Sequence, residues 1–118
     1  MRRYSVANFR GAWWAWRAAR RTDRHLRSKG LDAALSPPAP PSLPADAVRG
    51  VRAVLRRTED TCLVESIVLQ RWYAAHGEPR DLIVGVTDPS SEFRAHAWLA
   101  GDPPHGEPFR ELLRRPAP

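Results

Sequence analysis

Residues 36–44 read SPPAPPSLP and place five prolines within nine positions. Proline fixes its own φ angle and lacks a donor N–H, which excludes this run from helices and from the interior of a sheet. Its composition predicts an extended, polyproline-like linker. We therefore expect an N-terminal helical segment at 1–35, a plain linker at 36–44 and a core at 45–118. A chain of 118 residues has the length of one small domain.

The charge of the chain is strongly basic, with a formal net charge of +6, and Lys29 is its only lysine. Arginine suits bidentate contacts with carboxylates and phosphates and also stacks on aromatic rings. This excess favours an anionic partner, such as an acidic peptide, a nucleic acid or a membrane surface. Arginine-rich surfaces also arise simply from GC-rich coding. No nucleic-acid-binding module accompanies the arginines, so no nucleic acid partner is expected.

The chain has a single cysteine, Cys62, and four scattered histidines. One cysteine excludes an internal disulfide, and this residue set predicts neither a metal site nor a bound cofactor. A lone cysteine fits a reducing compartment. Neither a signal peptide nor a membrane-spanning run is visible, so the cytoplasm is the expected location.

Residues 7–28 are predicted to form a helix that ends at a Gly30 cap. Phe9, Trp13 and Trp16 fall at spacings of four and three and mark the expected apolar stripe. Two interpretations remain open: the helix packs this stripe on the domain, or it is a mobile helix that docks on a partner protein or an anionic membrane.

Two further helices follow the linker. The first is predicted at 45–57 with Asp46 as its N-cap, and it has no apparent chemical role. The second is predicted to begin at Cys62 with Thr61 as its N-cap. The N–H groups at a helix start stabilise a thiolate and an oxyanion, so Cys62 is a candidate nucleophile. The alternative is a small, buried, inert cysteine.

A β-hairpin is predicted next, with strands at 81–87 and 92–99. The first strand is apolar on both faces, which is typical of a central strand. In the second strand His96 alternates with small residues that permit close packing of another element. Residues 109–113 are predicted to form a short helical turn whose Leu112 and Leu113 dock on the core. The expected fold class is therefore α+β, with helices over an antiparallel sheet of two to four strands.

Three blocks of sequence carry a family resemblance: 61–70 (TCLVESIVLQ), 83–86 (IVGV) and 95–98 (AHAW). Together they resemble the transglutaminase-like leader peptidases of lasso-peptide biosynthesis, the B-type proteins, in the form where the peptidase is a separate small protein. The resemblance implies a papain-like or transglutaminase-like core. It also implies cleavage of the leader from a ribosomally made precursor peptide, together with a leader-recognition protein and a lasso cyclase.

Carried over by position, the resemblance makes Cys62 the nucleophile and His96 the general base. Asp102, the only aspartate in this region, is the preferred acid to orient the histidine, and Glu107 is the alternative, because neither lies at the family's spacing. Gln70, the only glutamine, lies two turns into its helix and is too remote to serve the oxyanion, which predicts a slow enzyme when alone.

Three tryptophans, Trp13, Trp16 and Trp98, are candidates for contacts with the substrate or a partner. Two alternative functions stay open. One is a transglutaminase-type acyltransferase, in which an amine replaces water. The other is a non-enzymatic adaptor that binds a membrane or a partner and whose Cys62 is inert.

Overall fold

A computed structural model describes residues 5–31, 35–58, 61–87, 94–102 and 109–118. These residues form three helices and one three-stranded sheet, so the predicted α+β class is confirmed. The helices are α1 (Val6–Lys29), α2 (Val48–Arg57) and α3 (Cys62–Ala75), and the strands are β1 (Leu82–Thr87), β2 (Ala95–Leu99) and β3 (Phe109–Arg115). None of the helices in these described ranges combines the length and hydropathy needed to cross a bilayer.

The sheet has the order β2-β1-β3, and both pairs of strands are antiparallel. The apolar strand β1 is therefore central, as predicted. Its pairing with β2 runs from Leu82 opposite Leu99 to Val86 opposite Ala95, which confirms the hairpin. The ladder with β3 is interrupted by an irregularity between Val84 and Gly85.

The third strand corrects the predicted helical turn at 109–113. Phe109–Arg115 pairs along β1 instead, and Leu112 and Leu113 are 65% and 43% exposed, so the prediction that they dock on the core is wrong. Leucine, glutamate and arginine are good helix formers, but the unpaired edge of β1 overrides that propensity. Arg114 reinforces the sheet by donating to Asp81 at 3.0 Å and to Glu111 at 2.9 Å.

Helix α1 has nearly the predicted bounds but buries another face. Its core residues are Trp14, Ala15, Ala18 and Ala19, whereas Phe9, Trp13 and Trp16 are 69%, 62% and 37% exposed. The aromatic stripe therefore does not pack on the domain.

Close packing on α2 explains this choice of face. A Cβ on Gly50 of α2 would lie 2.0 Å from the Asn8 carbonyl oxygen, and a Cβ on Gly11 would lie 3.0 Å from that of Ala47. Only a face of small residues allows two helix backbones to approach so closely. The shared core also includes Val51, Leu55, Val64, Val68 and Trp72, so the expectation of a mobile helix is wrong.

The proline-rich segment is bonded to the domain along its length. Trp14 Nε1 donates to the Pro38 carbonyl at 3.1 Å, and Arg71 Nε donates to that of Pro37 at 3.2 Å. The His76 ring lies 3.0 Å from the Leu43 carbonyl oxygen through Nε2. The segment is thus a strap across α1 and α3 rather than a plain linker. Independent folding of residues 45–118 stays a prediction.

Helix α2 starts later than predicted. Residues Ala45–Ala47 form a single 3-10 turn, and α2 begins at Val48 without a side-chain cap. Asp46 lies inside the 3-10 turn, so the prediction that it caps the helix is wrong. The Ala47 N–H donates to the Pro44 carbonyl at 3.0 Å, and this bond between residues three apart closes the 3-10 turn.

Candidate active site

Cys62 is the first residue of α3, and the predicted cap is present. Thr61 Oγ1 accepts a hydrogen bond from the Val64 N–H at 3.3 Å, and the Thr61 carbonyl accepts one from Glu65 N at 3.1 Å. The Cys62 side chain is half-buried. It therefore lies at the positive end of the helix, where backbone N–H groups and the helix dipole stabilise a negative charge on sulfur.

The Cys62 sulfur is bonded to the edge of the sheet. The Ala97 N–H donates to Sγ at 3.3 Å, and Ser66 Oγ donates to the Ala97 carbonyl oxygen at 3.3 Å. Both main-chain polar groups of Ala97 point away from β1, as alternate residues of an edge strand do. Helix α3 satisfies both of them and thereby holds the thiol beside β2.

His96 lies on the opposite face of β2 from the buried Ala97. Its ring centroid is 6.2 Å from that of Trp98 and 5.6 Å from that of Phe109 on β3. The Trp98 ring lies over Gly85 of β1, where a Cβ would come within 2.8 Å of it. Glycine at the central strand therefore makes room for this aromatic cluster.

Cys62, His96 and Asp102 line one cleft of about 470 Å³ along the outer edge of β2. The structure thus brings the predicted nucleophile and base to one cavity. Among the described residues, the sulfur is hydrogen-bonded to Ala97 and not to His96, whose ring makes only aromatic contacts. Proton transfer between the two residues requires the imidazole to turn toward the edge of β2. Catalytic hydrogen bonds often tighten only when substrate is bound.

The orienting acid stays a prediction. Asp102 is exposed, follows Gly101 with its φ of 94°, and donates its N–H to the Leu99 carbonyl at 3.0 Å. Within the described ranges its carboxylate has no hydrogen bond to His96. The other candidate, Glu107, lies outside the described residues.

Gln70 has a structural role, in keeping with its predicted distance from the thiol. It is 3% exposed, and its Nε2 donates to the carbonyls of Arg80 at 2.8 Å and Arg115 at 3.1 Å. This buried amide joins α3 to one end of the sheet, where the start of β1 pairs with the end of β3. The Gln70 side chain is therefore not available to stabilise an oxyanion at Cys62, and another group in the cleft must supply that hydrogen bond.

The three candidate binding tryptophans fall on two surfaces. Trp98 lines the cleft with Cys62, whereas Trp13 and Trp16 lie on the exposed face of α1. Their rings stack with centroids 5.5 Å apart, and the Arg20 guanidinium lies 5.1 Å from the Trp16 centroid. The candidates therefore divide between the cleft and the exposed face of α1.

Sequence reasoning missed the basic wall of the cleft. Arg52 and Arg56 of α2, Tyr73 of α3 and Arg80 also line the cavity. The available signal was the spacing of four between Arg52 and Arg56, which places both on one face of the helix that leads into the cysteine.

Comparison with known proteins agrees with this geometry. A family model described as the transglutaminase-like superfamily matches residues 6–114 and so includes α1 and the proline-rich strap. No curated protein and no solved structure gave a significant match. This superfamily includes cysteine peptidases and acyltransferases, both of which use a thiol nucleophile. The chain, with Cys62 at a helix start and His96 on the adjacent strand, belongs to the transglutaminase-like superfamily.

Proposed function

We propose that the chain is a cysteine peptidase that removes the leader from a ribosomally made lasso-peptide precursor. The observation that carries the proposal is the common cleft of Cys62, at the start of α3, and His96. Superfamily membership supports thiol chemistry in general. The finer assignment is based on the three sequence blocks at 61–70, 83–86 and 95–98, which resemble the lasso leader peptidases.

In the proposed reaction His96 takes the proton of the Cys62 thiol, and the thiolate attacks the scissile carbonyl carbon. The tetrahedral oxyanion is stabilised by backbone N–H groups, and the Ala97 N–H that bonds the resting sulfur is one candidate donor. His96 then protonates the amine of the departing core peptide. Water, deprotonated by His96, hydrolyses the thioester, releasing the leader as a free acid and restoring the thiol.

The partners in this proposal are the precursor leader, a leader-recognition protein and a lasso cyclase. The exposed aromatic face of α1, formed by Phe9, Trp13 and Trp16, is the proposed docking surface for the recognition protein. A separate protein that presents the leader supplies positioning that the small cleft lacks. Docking of the same face on an anionic membrane is the competing outcome, which vesicle binding by a wild-type and a Trp13→Ala chain tests.

The superfamily match also supports an acyltransferase, in which an amine instead of water attacks the thioester. The two activities differ in their products. Hydrolysis leaves a free carboxylate on the leader, and aminolysis leaves an amide. Mass spectrometry of the leader fragment with a primary amine added at millimolar concentration distinguishes them.

The test of the proposal is cleavage of a candidate precursor by the full chain with its leader-recognition protein, followed by mass spectrometry. Cys62→Ala is expected to abolish cleavage, and His96→Ala to lower it by about a thousandfold or more. His25→Ala, on α1, is the matched histidine control and is expected to cut normally. Cleavage by the Cys62→Ala chain would show that the thiol is inert and would favour an adaptor.

A further inference from the structure

Two arginines converge on one tyrosine at the end of the cleft remote from Cys62. The Arg80 guanidinium lies 4.7 Å from the Tyr73 ring centroid, and that of Arg52 lies 5.9 Å from it. Arg52 Nη2 also donates to the Tyr73 hydroxyl. Cation–π contact and a hydrogen bond therefore hold two positive charges beside one half-buried ring.

The local backbone fixes this group. Tyr73 lies on α3, and the Arg80 carbonyl accepts from the buried Gln70 amide at 2.8 Å. The Arg80 side chain is 35% exposed, and its contact with Glu78, itself 58% exposed, is 3.5 Å long. Because an exposed ion pair of this kind is weak, another carboxylate can replace Glu78.

The charge of the cleft favours an anion. Three arginines line it, Arg52, Arg56 and Arg80, against two carboxylates, Glu65 and Asp102. Guanidinium groups bind carboxylates through two parallel N–H···O bonds, and stacking on an aromatic ring orients them for such contacts. A planar carboxylate on the substrate is the ligand that this arrangement fits best.

The distance from the thiol sets the position of that carboxylate. Tyr73 follows Cys62 by eleven residues on the same helix, which corresponds to about 16 Å at a rise of about 1.5 Å per residue. An extended peptide advances about 3.3 Å per residue. The same length therefore holds about five residues of an extended substrate.

We propose that Arg52, Tyr73 and Arg80 form a subsite for an acidic side chain about five residues before the bond that is cut. The proposal rests on the proposed peptidase function. It takes the leader side because that side forms the thioester with Cys62, so a subsite there would orient the acyl group while water attacks it.

The test uses acetylated alanine- and glycine-based octapeptides that end in a chloromethyl ketone, which alkylates a thiolate with loss of chloride. Each carries one glutamate, or glutamine as the neutral match, at the third, fifth or seventh residue from the ketone. Cys62 labelling is followed by intact-protein mass spectrometry at low salt. The glutamate at the fifth residue is expected to speed labelling by about fivefold over glutamine, and the effect should shrink at the other two positions.

The Arg52→Gln/Arg80→Gln double variant is expected to lose this preference, and the corresponding double lysine variant to keep part of it. Arg17→Gln/Arg21→Gln on α1 removes the same charge elsewhere and should keep all of it. Circular dichroism verifies that each variant is folded. A preference that survives in the Arg52→Gln/Arg80→Gln chain would overturn the subsite.

A binding measurement separates the subsite from the proposed peptidase. The same octapeptides as C-terminal amides are titrated into a Cys62→Ala chain by calorimetry, where no thiol takes part. Tighter binding of the glutamate peptide supports the subsite, even if no ketone labels Cys62 and the peptidase proposal fails. Equal binding of the glutamate and glutamine amides at every position refutes the subsite, whatever the thiol does.

Discussion

The α1–α2 interface and the α3–β2 interface hold the molecule together by different means. Between α1 and α2 contact depends on missing side chains, since Gly50 leaves room for the Asn8 carbonyl. Between α3 and β2 it depends on polar bonds, in which Cys62 and Ser66 take both main-chain groups of Ala97. The first interface supplies rigidity through the close approach of two helix backbones. The second interface positions the nucleophile, because it sets where the Cys62 sulfur lies relative to His96.

The largest loss of stability is expected on the buried face of α1, because Trp14 contacts the Trp72 ring of α3 and donates to the Pro38 carbonyl of the strap. Trp14→Ala removes a side chain that is 7% exposed and is expected to destabilise the chain by about 4 kcal/mol. Trp13→Ala removes one that is 62% exposed and should change stability by less than about 0.5 kcal/mol. Urea unfolding of both variants measures the two losses. Equal losses would mean that α1 packs through its aromatic stripe.

Filling the space between the two helices is expected to cost less. A methyl group at Gly50→Ala would lie 2.0 Å from the Asn8 carbonyl oxygen, and overpacking of that degree costs about 3 kcal/mol. Better helix propensity returns about 1 kcal/mol, which leaves a net loss of about 2 kcal/mol. Gly11→Ala, with its nearest contact at 3.0 Å, is the control and should be close to neutral. Thermal unfolding measures the change in stability of both variants. An unchanged stability in Gly50→Ala would contradict the close approach of the two helices.

The third prediction concerns the acid behind His96. Asp102→Asn is expected to slow leader cleavage by about tenfold, equivalent to about 1.4 kcal/mol in the barrier, with little change in stability. Glu107→Gln is the parallel variant at the other candidate position. A slower reaction in Glu107→Gln alone would assign the orienting role to that residue instead.

The smallest effect is expected at the polar interface itself. Ser66→Ala leaves the Ala97 carbonyl without its donor at 3.3 Å, and the expected loss of stability is about 1 kcal/mol. Ser28→Ala removes a similar bond to the Arg24 carbonyl at 3.0 Å on an exposed helix face and should cost less. Cleavage should fall further in Ser66→Ala than in Ser28→Ala. Identical cleavage rates would show that Ala97 does not position the site.

Local signals were sufficient to predict the start of α3 and the central strand. Thr61 before Cys62 is a strong capping signal, and the apolar run of β1 has no polar face to expose to solvent. Both features depend on residues that are near one another in the chain. The α+β class follows from them.

Long-range contacts explain what the sequence could not predict. The residues of β3 favour a helix until β1 offers a free edge, 22 or more residues earlier in the chain. Helix α1 carries an aromatic stripe and a small-residue stripe, and Gly50 on another helix decides which of them is buried. The His96 ring contacts Phe109, a residue on that same unpredicted strand.

The hydrogen bonds between α3 and the main chain of Ala97 also affect how the sheet can associate with other chains. An edge strand with free N–H and C=O groups invites a further strand and is a common origin of aggregation. On β2 the groups of Ala97 are already bonded to a thiol and a hydroxyl. The other edge, β3, carries Arg110, Glu111, Arg114 and Arg115, whose charges oppose stacking of strands. The contact that positions the nucleophile therefore also limits growth of the sheet at its active-site edge.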